Sequence, residues 1–357
     1  MKILYVSEYP PDKGAVSDYL YHLVKNLPEG LEIDILSESG EKPDEDRQME
    51  NVEVIGEVPD KKEWQQLDLT NYDIIHFQYY VSGLREFFKY KITGGNSPET
   101  LITLHDVPKE LKHKLLFTVF RNVILLTDET EKKFRKAHPL LTKILGHKVY
   151  RAPYLGIEKE LPQIVESKNI ETELDSSDTN IVAPGFIHDK KGFHKVIEAF
   201  PDLLEEYPDA KLTFAGGMHR TGDTEYLERI EKMMEQNPAK EKINKTGVLP
   251  TEYNVYQYMK EADVVVLPFD EISQSASVTK TLAMGTVPIV TPLDTLKEPI
   301  KNYGGVMIEK DDQVELKKGI KKALENPPEI KSEKIREELS WQNNAEKHVE
   351  IYEDMRK

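Results

Sequence analysis

Ile181-Val182-Ala183-Pro184-Gly185-Phe186-Ile187-His188-Asp189-Lys190-Lys191-Gly192 is the stretch on which the reading of this chain turns. A short apolar run breaks at Gly185, a polar turn follows, and Gly192 opens a segment, Phe193–Glu206, with apolar residues at helical spacing. Strand, Gly-bounded turn and helix make up the repeating unit of parallel α/β layers. Glycines in such a turn let backbone approach a ligand closely, and the next helix offers unpaired N–H groups to an anion. Lys191 stands where its ammonium can reach that anion.

The alternation continues on both sides. Asn180–Pro184, Lys211–Ala215, Ile243–Val248, Asp263–Pro268 and Val287–Val290 read as strands. Phe193–Glu206, Thr224–Gln236, Glu252–Glu261, Thr279–Met284 and Val314–Glu325 read as helices. Upstream, Lys2–Ser7, Glu32–Ser37, Val52–Ile55, Asp73–Gln78, Leu101–His105 and Val123–Thr127 form a second set of strands. Helices there are expected at Tyr19–Asn26, Pro108–Thr118 and Glu129–Lys136. Residues 158–180 are polar and acidic with little periodicity, so the junction is expected among them. The fold class is therefore α/β, with Rossmann-like domains at 1–165 and 166–338 and a last helical segment, 339–357. Folds of this kind bind ligands at the carboxyl ends of their strands.

Two further turns in the second half repeat the pattern at Gly185. Phe214-Ala215-Gly216-Gly217 is a strand end breaking into adjacent glycines. Gln274-Ser275-Ala276-Ser277-Val278-Thr279 follows a strand ending at Pro268 and leads into a helix ending at Gly285. Its hydroxyls and free N–H groups suit a diphosphate, although Ser and Thr at a helix start commonly serve only as caps. One such turn favours the cap. Three in one domain, all at strand ends, favour the diphosphate.

Composition excludes several other classes. In 357 residues, 38% are hydrophobic and 31% charged, which suits a globular chain. There is no Cys, hence no disulfide framework and no thiolate metal site. No apolar run reaches the roughly 20 residues of a membrane helix. A net charge of −16 argues against nucleic acid as the main partner. The charge is uneven, however: residues 109–151 carry eleven Lys/Arg against four acids. That segment reads either as solvated helix faces or as a docking patch for an anionic membrane or acceptor. The expected location is cytoplasmic, with peripheral contact at the inner membrane face as the further option.

The order of motifs from 181 to 290 resembles the donor domain of family-4 glycosyltransferases, retaining enzymes of the GT-B fold. The motifs are Lys191-Gly192, Glu198-Ala199-Phe200, Gly216-Gly217, Thr246-Gly247-Val248, Ala262-Asp263-Val264, Pro268 and Leu282-Ala283-Met284-Gly285-Thr286-Val287-Pro288. Tyr9-Pro10-Pro11-Asp12-Lys13-Gly14-Ala15, Asp73-Ile74-Ile75-His76, Thr103-Leu104-His105-Asp106 and Ser340-Trp341…Ala345…Tyr352 extend the likeness to nearly the whole chain. The resemblance implies two Rossmann-like domains facing each other across a cleft. The first would bind an acceptor (glycan, lipid or small molecule) and the second a nucleotide-sugar donor, with the last helix returning to the first domain.

It also implies site residues. Gly14, Ala15, Gly185, Phe186, Gly216, Gly217, Gly247, Val248, Glu271, Ser275, Ala276, Ser277, Val278 and Thr279 would bind the donor. His105, Lys191 and Lys280 would carry the chemistry, while His76 reads as structural. Two positions depart from the family: Phe186 replaces a usual Arg, and Lys280 replaces the Glu that holds the ribose. Both positions flank one expected diphosphate pocket, with Lys280 taking over part of the leaving-group stabilisation and the ribose held by backbone or by Asp270 or Glu271. No Asp-x-Asp loop or cluster of metal-ligand spacing is found, so the transfer is expected to need neither metal nor cofactor. The rival readings are a nucleotide-sugar epimerase, a phosphorylase, and a binding subunit that kept the fold and lost turnover.

Overall fold

The computed structural model describes residues 1–12, 14–78, 83–105, 119–137, 148–152, 156–217, 224–272 and 275–357. The chain divides into two compact units, Met1–Gly156 with Leu339–Lys357, and Ile157–Glu338. The expected boundary at 165/166 therefore falls earlier. Leu161–Ser167 forms a helix that buries Leu161 and Val165 in the second unit, so the chain has already crossed by Ile157. The helix expected at Pro108–Thr118 lies outside the described residues.

The first unit holds β1 (Lys2–Val6), β2 (Glu32–Ser37), β3 (Val52–Glu57), β4 (Ile74–Gln78), β5 (Glu99–Leu104), β6 (Asn122–Leu125) and β7 (Lys148–Arg151). They pair in the order β3-β2-β1-β4-β5-β6-β7, all parallel. The second unit holds β8 (Thr179–Pro184), β9 (Ala210–Ala215), β10 (Ile243–Lys245), β11 (Val264–Leu267), β12 (Val287–Val290) and β13 (Val306–Met307). Their order is β10-β9-β8-β11-β12-β13, again all parallel. Parallel strands covered on both faces need continuous apolar runs, as in Val264-Val265-Val266-Leu267, buried throughout. Helix Phe193–Leu204 supplies one cover, setting Phe193, Val196, Ile197, Phe200 and Leu203 into a core with Phe214, Val266 and Ile289. Each sheet reverses its winding once, at β1/β4 and at β8/β11. Those two points are where such sheets open for a ligand.

Helix Trp341–Met355 belongs to the first unit and closes its core. Tyr352 Oη lies 2.5 Å from Tyr5 Oη and 2.8 Å from His76 Nδ1, while His76 Nε2 meets Thr103 Oγ1 at 2.7 Å. All four side chains are fully buried. His76 is thus a core histidine, as read from the sequence. On the same helix, His348 Nδ1–H donates to the Asn344 carbonyl at 2.8 Å, which fixes its neutral tautomer. Gly156 admits this helix: a Cβ there would stand 1.9 Å from the Trp341 ring.

Burial pushes His348 down to about 4, and burial with His348 nearby pushes His105 to about 4. Burial also holds His76 well below its ordinary value of 6.5. Below pH 6.5 the unfolded chain takes up protons that the folded core refuses. Stability is thus complete above that pH and drains away as pH falls from 6.5 toward 4. The melting temperature is expected to fall between about pH 7 and about pH 5, and His348→Gln to flatten that slope. An unchanged slope in His348→Gln contradicts the assignment.

Candidate anion site at the second switch point

The turns after β8 and β11 lie side by side because the two strands are neighbours whose connections leave in opposite directions. Gly185 takes φ +105°, and a Cβ added there would lie 3.6 Å from Lys191 Nζ and 4.0 Å from Ser277 Oγ. An ammonium and a hydroxyl thus converge over one glycine. Lys191 closes the 3-10 turn Asp189–Lys191, its N–H bonded to the His188 carbonyl at 2.9 Å. Its ammonium stands 4.7 Å from the Phe269 ring centroid. Among the described residues it has neither an ion-pair partner nor a hydrogen-bond acceptor. Burial lowers it from 10.5 to about 8, as expected of a desolvated cation with no counter-charge.

Helix Ala276–Met284 begins beside it. Ser275 Oγ caps the helix by accepting the Val278 N–H at 3.2 Å, and the Thr279 hydroxyl donates to the Ser275 carbonyl at 3.2 Å. Val278 and Thr279 are 1% and 9% exposed, so they hold the helix and do not face a ligand as expected. Ser277 Oγ is the group of this turn that lies toward Gly185, and Ala276 and Ser277 occupy the helix's first two positions, whose N–H groups have no intrahelical acceptor. The cap reading was right for half of this turn and the anion reading suits the other half.

The glycine turns are stitched together. Gly185 N–H donates to the Ala215 carbonyl at 2.9 Å, Ile187 N–H to the Gly217 carbonyl at 3.0 Å, and Gly216 N–H to Thr246 Oγ1 at 3.0 Å. A Cβ on Gly216 would lie 2.3 Å from Gly185 O, and one on Gly217 2.5 Å from the Val248 N. Gly247 takes φ +75° with open space around it, and Val248 and Phe186 are 66% and 50% exposed. Both are apolar side chains held in solvent.

The place of Lys280 changes, and two nearby acids have partners of their own. Lys280 was placed at the helix start, but the helix begins at Ala276 and puts Lys280 in its second turn. There its ammonium lies 3.4 Å from Glu158 and 5.0 Å from the Tyr256 ring centroid, so its charge is already met. Glu271 pairs with Lys190 at 3.0 Å in solvent. Asp270 pairs with Lys195 at 2.6 Å, beside Asp311 on the same ammonium.

In the first unit, Gly14 precedes helix Ala15–Lys25 at φ +154°, where a Cβ would lie 3.0 Å from Glu8 Oε2. Lys13 lies outside the described residues. His105, just past β5, has Nε2 2.7 Å from Gln78 Oε1 at the end of β4 and its ring edge-on to Tyr19, centroids 5.1 Å apart. Gln78, Phe269, Glu158 and Tyr256 are contacts of the site residues that sequence reading missed. Gln78 ends a strand beside a switch point, which was a usable signal. Nothing in the spacing marked the other three.

Residues 166–348, just over half of the chain, match the family described as glycosyl transferases group 1. The chain belongs to that family, and it is a glycosyltransferase of the GT-B fold. No curated protein matches the sequence. Among solved structures, HepE of Anabaena in complex with UDP is similar at 13% identity, with 99% of this chain and 100% of that one covered and a TM-score of 0.75. Sucrose-phosphate synthase of Thermosynechococcus elongatus follows at 15% identity, 99% of each chain and 0.69. A UDP-forming α,α-trehalose-phosphate synthase of Burkholderia xenovorans, solved with glucose-6-phosphate, shares 11% identity over 100% of each chain, with 0.70. At these identities the likeness is one of fold.

Replacing Lys191 with Ala is expected to lower kcat/KM by ~10²-fold with the melting temperature unchanged, since one electrostatic stabiliser is lost. Because the free ammonium titrates at about 8, wild-type kcat/KM should fall as pH rises through that value. Wild-type kinetics in Lys191→Ala return the residue to the ordinary surface class.

Proposed function

We propose that the second unit binds the diphosphate of a nucleotide sugar on Lys191, Ser277 and the N–H groups of Ala276 and Ser277, and that the sugar is transferred with retention of configuration. The observation that carries this reading is the half-buried Lys191 ammonium, unpartnered among the described residues and converging with Ser277 Oγ over Gly185. A departing diphosphate leaves with growing negative charge, and fixed donors aimed at it lower the barrier. Here a cation and a helix N-terminus are that set, so the chemistry needs no metal. The leaving phosphate takes the acceptor's proton on the same face of the sugar, and no carboxylate nucleophile is required. The exposed Val248, against Gly217, and Phe186, next to Gly185, are apolar surface for the base and for the substrate's rings.

In the first unit, His105 follows β5 and the turn at Gly14 and Ala15 follows β1. With its proton affinity lowered to about 4, His105 is a neutral hydrogen-bonding group at physiological pH. The acceptor is a sugar-bearing or hydroxylated molecule, in keeping with the sugar phosphate held by the Burkholderia relative. Lys132, Lys133, Arg135 and Lys136, exposed on helix Asp128–Ala137, make a basic face that suits an anionic membrane where the acceptor is a lipid.

Two tests follow from this reading. A thermal-shift panel of UDP-, GDP- and ADP-sugars should show one stabilising donor, about 2.7 kcal/mol at 100 times its Kd, and turnover should persist in excess EDTA. Activity that returns only with Mg²⁺ or Mn²⁺ contradicts the metal-free mechanism, and binding without turnover would mean a non-catalytic subunit. Co-sedimentation with anionic liposomes should fall with rising salt and vanish on reversing the four basic residues to Glu. Equal partitioning to neutral vesicles removes the membrane from the account.

A further inference from the structure

The helix that presents Ser277 to the anion site is gripped by both ends of its own unit. Glu158, one residue past the crossing at Ile157, meets Lys280 at 3.4 Å in the middle of the helix. Arg336, close to the return crossing at Glu338, donates through Nη1 to the Ala283 carbonyl at 2.8 Å. That carbonyl is one of the last in the helix, where no intrahelical donor remains for it. The two crossing segments also meet each other, Lys159 on Glu337 at 3.0 Å. Helices Leu161–Ser167 and Ser332–Glu338, which continue these segments, both pack on Ala276–Met284.

The Lys280–Glu158 pair is the better shielded of the two ion pairs. The side chains are 12% and 21% exposed, so water screens the pair poorly and removing one partner strands the other. Tyr256 lies beneath the ammonium at 5.0 Å and is itself held at 2.5 Å by Glu252. An ammonium on a short helix is ordinarily left in solvent; this one is enclosed by an acid and an aromatic ring. Its chemistry is that of a strut.

We infer that Lys280 is a positioning residue: through Glu158 it locks the helix bearing Ser277 to the segment by which the chain enters the second unit, so that an anion at the helix start is felt at that segment. This rests on the proposed diphosphate site and deepens it. Charge order is then the only requirement of the pair, and exchanging the two charges should preserve it.

The test uses the full chain, hydrogen exchange and the nucleotides UDP, GDP and ADP as probes. In wild type, the nucleotide that binds should slow exchange in 276–284 and also in 157–167. In Lys280→Met and in Glu158→Gln, protection should stop at the helix, with nucleotide affinity within about 3-fold of wild type and kcat lowered ~10-fold. The exchanged pair, Lys280→Glu with Glu158→Lys, should restore both the spread of protection and kcat. Lys280→Arg controls for folding and should behave as wild type. Protection confined to 276–284 in wild type overturns the inference. So does a large affinity loss in Lys280→Met that the exchange fails to repair, because Lys280 would then touch the phosphate itself. If no nucleotide binds wild type, the donor reading fails; the inference then fails separately if helix 276–284 exchanges equally in Lys280→Met and wild type.

Discussion

A half-buried lysine ammonium with no opposite charge beside it among the described residues is the constraint around which the second unit is arranged. Moving a cation into a poorly solvated place disfavours its charged form, and Lys191 accordingly holds its proton only up to about 8. Other lysines nearby do not bear this cost: Lys190 has Glu271, Lys195 has Asp270 and Asp311, and Lys280 has Glu158. Acids are therefore abundant around the site and are kept off one ammonium. On the proposed function, an anion supplies the charge that the fold withholds from this group.

The glycines follow from the same constraint. For Lys191 to stand over Gly185, the turn must double back at Gly192, whose φ of +67° and contact with the Pro268 carbonyl exclude any side chain. The carbonyl of Gly185 in turn lies against Gly216, where a Cβ would come within 2.3 Å. Three chain turns are thereby drawn close enough for one ammonium, one hydroxyl and one helix start to share a small volume. The sheet order makes this possible, since only at β8/β11 do two adjacent turns part in opposite directions.

Most of the architecture was legible because its signals are local. Thr224–Gln236, Glu252–Glu261, Val287–Val290 and Trp341–Met355 fall where apolar period and turn residues placed them. Missed elements lacked such signals: β13 has two residues, β7 sits at a sheet edge with partly exposed side chains, and helix Asp294–Tyr303 contains Pro299. In the site, Gly185, Lys191, Gly216 and Ser277 were readable as a strand-end pattern. The fate of Lys280 was not, because Glu158 is 122 residues away in sequence and no spacing rule connects them. Likewise Thr279 looked like a ligand group and proved to be tied to its own helix, a choice made by which side of the helix the core covers.

The central claim is that Lys191 waits for a diphosphate, and its own titration tests that most directly. NMR of lysine side chains labelled at Cε, with Lys191→Arg to assign the resonance, follows the ammonium through its titration. The account expects a midpoint near 8 in the free protein, raised once the bound nucleoside diphosphate supplies the missing charge. An unshifted free Lys191 near 10.5, or a midpoint that saturating nucleotide leaves where it was, contradicts it.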